Sequence, residues 1–380
     1  MSATKDTIRL TDSIYDFLTQ LDLELHAQVK PLLASFPFDP ERWMGIEQRQ
    51  NELLQRYIPV VTQFLDKAYA SLTELDGSLA QHDRQACITY HRMLVQPFFL
   101  QSQFVRRALD KPLGYAGDYV VNEMLFANKV EGSSLLARLL TYYALNNGPA
   151  RAHRGRMPWA HDHIRRQVHN AGKRPIQILS FACGPEHVLR EFAAQGSVCE
   201  ITLCDHDPRA LEYCRREFKK IAHKTGINLP IHYVELSATT LLKDPTDVSF
   251  LQQPIMEGNY DVILVLGLLD YLPEQAVTKF MDILVTLLRP GGEILLTNVH
   301  RSNPWRSFME YVGEWRLLYR DEVEFHNLMV GAPERFKTTE MITDDTGVNL
   351  YFAGHTQAAD ASKLHALANS VPNASELNWS

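Results

Sequence analysis

Through the first hundred residues, apolar side chains recur every three or four positions. The spacing is clearest at Ile14, Phe17, Leu18 and Leu21, and again at Leu53, Leu54, Tyr57, Ile58 and Val61. A 3.6-residue period places such side chains on one face of an α-helix, where they pack against neighbouring helices. We therefore predict that residues 1–110 form a helical bundle.

From Arg174 onward, short apolar runs alternate with amphipathic segments. The runs predict strands at 176–181, 200–204, 231–235, 260–266 and 293–299, and a further strand at 318–320 or 349–353. The segments between them predict helices at 186–195, 208–223, 273–289 and 303–317. Strands that lack polar alternation are buried on both faces, which is typical of a mostly parallel sheet covered by helices. Residues 173–380 are therefore predicted to form an α/β domain.

The segment between these regions, residues 111–172, is rich in Gly, Tyr, amide and Arg residues. It opens with Lys111-Pro-Leu-Gly-Tyr-Ala-Gly-Asp-Tyr and has weak apolar periodicity. A loop-rich segment directly before an α/β domain suits a lid that closes over a ligand. We predict that role for it.

Composition narrows the class of protein. The chain is 45% hydrophobic and 22% charged, as in globular proteins, and its net charge of −7 argues against a nucleic-acid partner. No apolar run is long enough to span a membrane, and the N-terminus lacks the apolar core of a signal peptide. Five scattered cysteines without CxxC spacing favour reduced thiols in the cytoplasm and no structural zinc. The histidines at 153, 161, 163 and 169 lack a carboxylate at ligating spacing, so we expect no metal.

The strongest motif is the turn after the first predicted strand. Residues 179–185 lead through Ala182, Cys183 and Gly184 into a helix, and Asp205 ends the next strand, 21 residues after Gly184. This arrangement suits a nucleoside, because the backbone approaches the ligand at the turn and the carboxylate accepts from two ribose hydroxyls. Glu186 stands where a pyrophosphate would lie and would repel it. A nucleoside without a diphosphate, S-adenosylmethionine, is the ligand that we predict.

The order of these motifs resembles the class I S-adenosylmethionine-dependent methyltransferases. The resemblance is carried by Leu179-Ser-Phe-Ala-Cys-Gly-Pro, Leu203-Cys-Asp-His-Asp-Pro, Tyr260-Asp-Val-Ile-Leu-Val-Leu-Gly-Leu-Leu-Asp-Tyr-Leu and Leu288-Arg-Pro-Gly-Gly-Glu-Ile-Leu-Leu. The loop at 111–119 resembles that of a narrower bacterial subgroup. The resemblance implies a Rossmann-like, mostly parallel seven-stranded sheet flanked by helices, preceded by the helical domain and the lid.

The resemblance also implies a set of cofactor-binding residues, although three positions depart from the family. Ser180 replaces a frequent acid, and Ala182 and Glu186 replace loop glycines. The implied cofactor contacts in the α/β domain are Ser180, Ala182, Gly184, Asp205, His206, Ser237, Ala238, Leu266 and Gly267.

The lid offers groups that suit a sulfonium cofactor. Aromatic faces attract such a cation, by about 0.5–2 kcal/mol each when desolvated. We predict cofactor contacts at Asp118, Tyr119 and Arg151. The guanidinium of Arg151 would form a bidentate ion pair with the methionine carboxylate. The arginines at 154 and 156 belong to the same cluster. The predicted catalytic residues are Tyr115, Tyr142, Asn146 and Asp270, and Tyr271 and His300 are further candidates for acceptor contact.

Three functions fit these residues. The first is methyl transfer to a small organic molecule, for instance in secondary metabolism. The second is cyclisation of the cofactor to azetidine-2-carboxylate and methylthioadenosine, for which the lid would fill the acceptor space. The third is a non-catalytic sensor of the cofactor. For each of the three, the N-terminal helices would offer a homodimer surface.

Overall fold

The computed structural model describes residues 2–33, 40–195, 199–243, 255, 258–331 and 335–356. The chain divides into two compact units, Met1–His153 with Asn303–Arg316, and Arg154–Ser302 with Leu317–Ser380. The predicted boundaries at 110 and 172 stay a prediction.

The first unit is helical, and its packing follows the apolar spacing of the sequence. Its helices are α1 (Ser2–Leu33), α2 (Pro40–Asp76), α3 (Gln81–Leu94), α4 (Gln96–Phe99), α5 (Gln103–Asp110), α6 (Tyr119–Ala127), α7 (Leu135–Asn146) and the start of α8 (Gly148–Ala171). Ile14, Leu18 and Leu21 of α1 pack in one core with Leu53 and Val61 of α2. The predicted helical region is confirmed.

The helix predicted at 303–317 is shorter in the structure. Residues 306–312 are helical, with a π-helical turn at Phe308–Val312. The Arg92 side chain donates to the carbonyl oxygens of Glu310 and Tyr311, and Gln96 donates to that of Val312. These carbonyl groups are therefore satisfied by side chains of the first unit instead of by a helical ladder.

The second unit is an α/β domain with one sheet. Its strands are β1 (Ile176–Phe181), β2 (Cys199–Asp205), β3 (Ile231–Glu235), β4 (Tyr260–Val265), β5 (Leu288–Val299), β6 (Thr338–Thr343) and β7 (Asn349–His355). The order across the sheet is β3-β2-β1-β4-β5-β7-β6. Strands β1 to β5 are parallel, and β7 runs antiparallel between β5 and β6. The predicted Rossmann-like fold is confirmed.

Helices cover both faces of this sheet. They are α8 after residue 153, α9 (His187–Ala194), α10 (Pro208–Thr225), α11 (Ala238–Lys243), α12 (Glu274–Leu287) and α13 (Glu322–Val330). Along β1, Leu179 and Phe181 pack in one core while Ile176 and Ile178 pack in the other. Burial on both faces explains why β1 lacks polar alternation.

Two strand predictions need correction. Of the two alternatives for the further strand, 349–353 is confirmed and lies within β7, whereas residues 318–320 form no strand and only Arg320 bridges to His300. Strand β6 was not predicted, because almost all its side chains are exposed and give no apolar pattern. Within the described ranges, no helix is both long and apolar enough to cross a bilayer.

Candidate functional site

The carboxyl ends of β1, β2 and β4 meet at the centre of the sheet, where the strand order changes direction. In open α/β sheets, ligands bind in the crevice beyond the strand ends at such a point. Ser180 pairs with Leu203 on one side and Leu264 on the other. The loops that follow these strands therefore leave the sheet at the same level and form the candidate site.

The loop after β1 has a glycine-type backbone, although only one of its three key positions is glycine. Ala182, Gly184 and Glu186 have φ angles of 53°, 53° and 49°. For a residue with a side chain, this left-handed conformation costs on the order of 1–2 kcal/mol. The substitutions at Ala182 and Glu186 therefore change the side chains offered to a ligand and leave the loop conformation in place.

Asp205 ties the ends of β1 and β2 together. Its Oδ2 accepts from the Gly184 N–H at 2.8 Å, and its Oδ1 accepts from the Asp207 N–H at 2.9 Å. The side chain is buried, with 4% of its surface exposed. His206 Nδ1 also lies 3.2 Å from Oδ1, so with about two hydrogen bonds accepted by each oxygen, Oδ2 retains capacity for one ribose hydroxyl. The geometry thus brings together the loop and the acid that the sequence motif paired.

A second buried carboxylate lies at the end of β1. Glu186 caps α9, with Oε1 accepting from the Leu189 N–H at 3.1 Å, and its Oε2 accepts from the Ser180 hydroxyl. Burial raises the pKa of Glu186 to about 6, against the opposing effects of Ser180, Leu189 and Arg190. The position that carries serine instead of the family acid therefore contacts an acid supplied from six residues further along the chain.

The remaining predicted residues after β2 and β3 lie at the strand ends, as expected. His206 is half-exposed, and its Nδ1 lies 3.2 Å from Asp205 Oδ1. That hydrogen bond raises the pKa of His206 despite partial burial. After β3, Ser237 accepts from the Thr240 N–H and so opens α11 at Ala238. Any contact of these residues with adenine stays a prediction.

The end of β4 carries a contact that the sequence does not predict, although Arg156 belongs to the arginine cluster named above. Arg156, on α8, donates from Nη1 to the Leu266 carbonyl oxygen at 3.2 Å and from Nη2 to Asn349 Oδ1 at 3.3 Å. Gly267 has a φ of 108°, and a Cβ there would lie 2.5 Å from Arg156 Nη1. Gly267 therefore permits the guanidinium to lie against the backbone. The cofactor contacts predicted at Leu266 and Gly267 stay a prediction.

The sequence does hold a signal for Arg156. Arg156, Ala160 and Ile164 follow each other at four-residue spacing along α8, and all three are buried. Arg151, the predicted clamp, lies off this line and is exposed. The register of an arginine with the apolar face of its helix therefore distinguishes the buried Arg156 from the exposed Arg151.

Asp270 lies in a buried polar cluster beyond β4. Its carboxylate accepts from the Val299 N–H, and its main-chain oxygen accepts from the Leu318 N–H at 2.7 Å. Burial raises the pKa of Asp270, while the guanidinium groups of Arg156 and Arg320 oppose the rise. A catalytic role for Asp270 stays a prediction, because this hydrogen-bonding also gives it a structural role.

Two other acceptor-side candidates lie near this cluster in sequence. Tyr271 is 41% exposed. His300 Nε2 lies 2.9 Å from Glu322 Oε2. Their contact with an acceptor stays a prediction.

The predicted lid residues belong to the first unit. Asp118 is fully buried, caps α6 through the Val120 and Val121 N–H groups, and forms an ion pair with Arg107. Tyr115, Tyr119 and Tyr142 are partly buried. Asn146 exchanges amide hydrogen bonds with Asn128. Asp118 thus has a structural reason to be present, and the binding and catalytic roles of this set stay predictions.

The histidine cluster separates in space. His161 contacts the Val188 carbonyl oxygen, and His163 Nδ1 lies 2.5 Å from Glu293 Oε1. His163 and His355 converge on Glu293, a fully buried acid. Among the described residues, no group of three or more His, Cys, Asp or Glu side chains is arranged to hold a metal ion.

Comparisons with known proteins agree with the strand-end geometry. Residues 178–292 match a family model described as a methyltransferase domain. The match runs from β1 into β5 and includes the glycine-type loop, Asp205, Gly267 and Asp270. No curated protein sequence matches the chain. Residues 178–292 of the Rossmann-like second unit are therefore similar to a methyltransferase domain.

Several solved structures are similar to the chain at low identity. A possible exported protein from Bordetella parapertussis is 17% identical, with a TM-score of 0.49, over 69% of this chain and 93% of that one. The N-methyltransferase NodS from Bradyrhizobium japonicum, solved with S-adenosyl-l-homocysteine, is 16% identical with a TM-score of 0.35, over 52% and 86%. Magnesium protoporphyrin IX methyltransferase from Synechocystis is 11% identical with a TM-score of 0.38, over 55% and 84%. At these values the similarities say nothing about substrate.

Proposed function

We propose that the protein is an S-adenosyl-L-methionine-dependent methyltransferase that acts on a small organic molecule. The observation that carries this proposal is the tie between the Gly184 N–H and Asp205 Oδ2 at the strand ends. This hydrogen bond fixes a carboxylate, which can accept from a ribose hydroxyl, beside a loop whose backbone a ligand can approach. The match of residues 178–292 to a methyltransferase domain selects the cofactor among nucleosides.

The residues present fit this cofactor. Asp205 Oδ2 retains a lone pair for a ribose hydroxyl, and the left-handed loop at Ala182 and Gly184 exposes backbone where the sulfonium cofactor would pass. Glu186 is the proposed partner of the methionine ammonium group, because its carboxylate takes the place of the acid absent at Ser180. When bound, the cofactor supplies an electrophilic methyl group whose leaving group needs no protonation.

The chain's own residues then have positional tasks. Methyl transfer requires an in-line approach of the acceptor, so most of the acceleration comes from orientation and exclusion of water. We assign the cofactor face to the loops after β1 and β2, and the acceptor face to Asp270 and its neighbours after β4. Tyr115, Tyr142 and Asn146, together with Tyr119 and Arg151, are the proposed lid contacts. The subgroup with a Lys111–Tyr119 loop is the proposed family branch.

The acidic net charge of −7 favours small acceptors over nucleic acid. A cytoplasmic location, a homodimer through the N-terminal helices and a place in secondary metabolism belong to the same proposal. Each follows from composition or resemblance, and none is needed for the chemistry.

The test is incubation of the full chain with S-adenosylmethionine, alone and with a small-molecule extract, followed by mass spectrometry. The proposal predicts that the cofactor stays intact alone and yields S-adenosylhomocysteine and a methylated product with the extract. Methylthioadenosine and azetidine-2-carboxylate from the cofactor alone would instead establish cyclisation. Binding without turnover in any mixture would establish a sensor. Asp205→Asn, which removes the ribose contact, is the control that should lower every product.

A further inference from the structure

Arg156 is a buried guanidinium whose charge is opposed by the carboxylate of Asp270 without a direct ion pair between them. It is 8% exposed and forms no ion pair with any described residue. Its two bonds go to the neutral oxygens of Leu266 and Asn349. Burying a full charge costs several kcal/mol unless an opposite charge compensates it.

Unused hydrogen-bond donors lie in the same place. Arg156 Nε and Asn349 Nδ2 are buried, and neither has a hydrogen-bond partner among the described residues. The two side chains are neighbours, since Arg156 Nη2 lies 3.3 Å from Asn349 Oδ1. Both unused groups are donors, so a partner must bring acceptors, and a carboxylate brings two in the geometry that a guanidinium prefers.

The position agrees with a ligand site. Leu266 follows β4, which pairs with β1 from Ile178 to Ser180. Arg156 therefore lies at the end of β4, and β4 is adjacent to β1, the strand that precedes the glycine-type loop. Arg156 and Arg320 both oppose the rise in the pKa of Asp270, so the positive charge of two buried guanidinium groups acts on one buried carboxylate.

From these contacts we infer that Arg156 and Asn349 form a subsite for a carboxylate group at the end of β4. Two sources offer that group, the amino-acid tail of the cofactor and a carboxylate on the acceptor. The inference rests on the proposed function only for the identity of the ligand. It replaces the predicted clamp, Arg151, with a different residue.

The first arm of the test identifies a cofactor carboxylate. Calorimetry on the full chain compares S-adenosylhomocysteine with S-adenosyl-3-thiopropylamine, which lacks only the carboxylate. We expect wild type to prefer S-adenosylhomocysteine by about 10- to 100-fold, as for loss of a charge-assisted pair. Arg156→Met should abolish the preference, and Arg156→Lys should keep part of it. Arg166→Met, at an exposed arginine on the same helix, should leave it unchanged.

The second arm identifies an acceptor carboxylate. Protein saturated with S-adenosylhomocysteine is titrated with acetate, butyrate and benzoate, with chloride as the reference anion. Binding of a carboxylate that disappears in Arg156→Met, without a change in the first arm, would assign the subsite to the acceptor. If neither arm depends on Arg156, the inference is wrong.

Asn349→Asp separates binding from folding. It is nearly isosteric and places an internal carboxylate beside Arg156, so it should raise the melting temperature while it lowers carboxylate binding at least tenfold. A variant that is stabilised and still binds normally would overturn the inference. If wild type binds no S-adenosylhomocysteine, the proposed function fails, and the simple carboxylates still test the subsite on the protein alone.

Discussion

The buried carboxylate of Glu186 makes a prediction that can be worked out from the structure. Its pKa is about 6, against an ordinary value of 4.5, chiefly because it is buried. The folded protein therefore binds this proton more tightly than the unfolded chain. The contribution of Glu186 to stability is most favourable below pH 4.5 and is lost as the pH rises through 6. The difference of 1.5 corresponds to about 2 kcal/mol.

Glu186→Gln should remove this cost. The amide keeps an oxygen to accept from the Leu189 N–H and gains an N–H that can donate to Ser180. Urea unfolding, followed by circular dichroism at pH 5.0 and pH 7.5, measures the effect. We expect the variant to be about 1–2 kcal/mol more stable than wild type at pH 7.5, with a smaller gain at pH 5.0. Glu191→Gln, at an exposed residue of α9, is the matched control and should change neither value.

The same variant should bind S-adenosylhomocysteine more weakly, because the proposed ammonium partner is then neutral. Stability and affinity would thus change in opposite directions, as expected for a functional site that stores strain. A variant that is equally destabilised at both pH values would refute the assignment of a protonation cost to Glu186.

Three further predictions follow. Ala182→Gly should stabilise the protein by about 1 kcal/mol in urea unfolding, because φ is 53° there; a destabilised variant would contradict the strain argument. Asp205→Asn should weaken S-adenosylhomocysteine about 10- to 100-fold by calorimetry. Asp207→Asn, which removes the ion pair with Arg209 but keeps an oxygen that can cap α10, should leave affinity and stability near wild type. Burial opposes ionisation of Glu293, but its two histidine partners lower its pKa to about 2. The free energy of unfolding of wild type should therefore decrease by about 3 kcal/mol as the pH falls from 4.5 toward 2. Glu293→Gln should reduce this decrease, and an unchanged dependence on acid pH would contradict the role of Glu293.

Two strands have the bounds that their apolar residues predict, β1 at 176–181 and β3 at 231–235. Strand β1 is almost entirely buried, whereas only Val234 is buried in β3, so the apolar pattern predicted both strands and complete burial was not required. Strand β6 was not predicted because its exposed side chains give no apolar pattern. The helix predicted at 303–317 is shorter in the structure, because side chains distant in sequence satisfy carbonyl groups at its end. Apolar periodicity identifies elements that have a buried face. It does not detect an exposed strand, and it does not show where distant side chains end a helix.

For the candidate site, spacing was informative where backbone and side chain act locally. Asp205 was predicted from its place at a strand end, and the structure joins it to the loop through Gly184. Glu186 was seen only as a barrier to phosphate, since its approach to Ser180 depends on the left-handed turn between them. The register of Arg156 with Ala160 and Ile164 indicates that Arg156 is buried, but its contact with the end of β4 depends on the packing of α8, which no local pattern encodes.

Calorimetric titration of the full chain with S-adenosylhomocysteine tests the central claim most directly. We predict binding at one site per chain, lost or strongly weakened in Asp205→Asn and retained in Asp207→Asn. Absence of binding to a folded wild-type protein, or binding that Asp205→Asn leaves unchanged, would contradict the assignment of the cofactor site to the ends of β1 and β2.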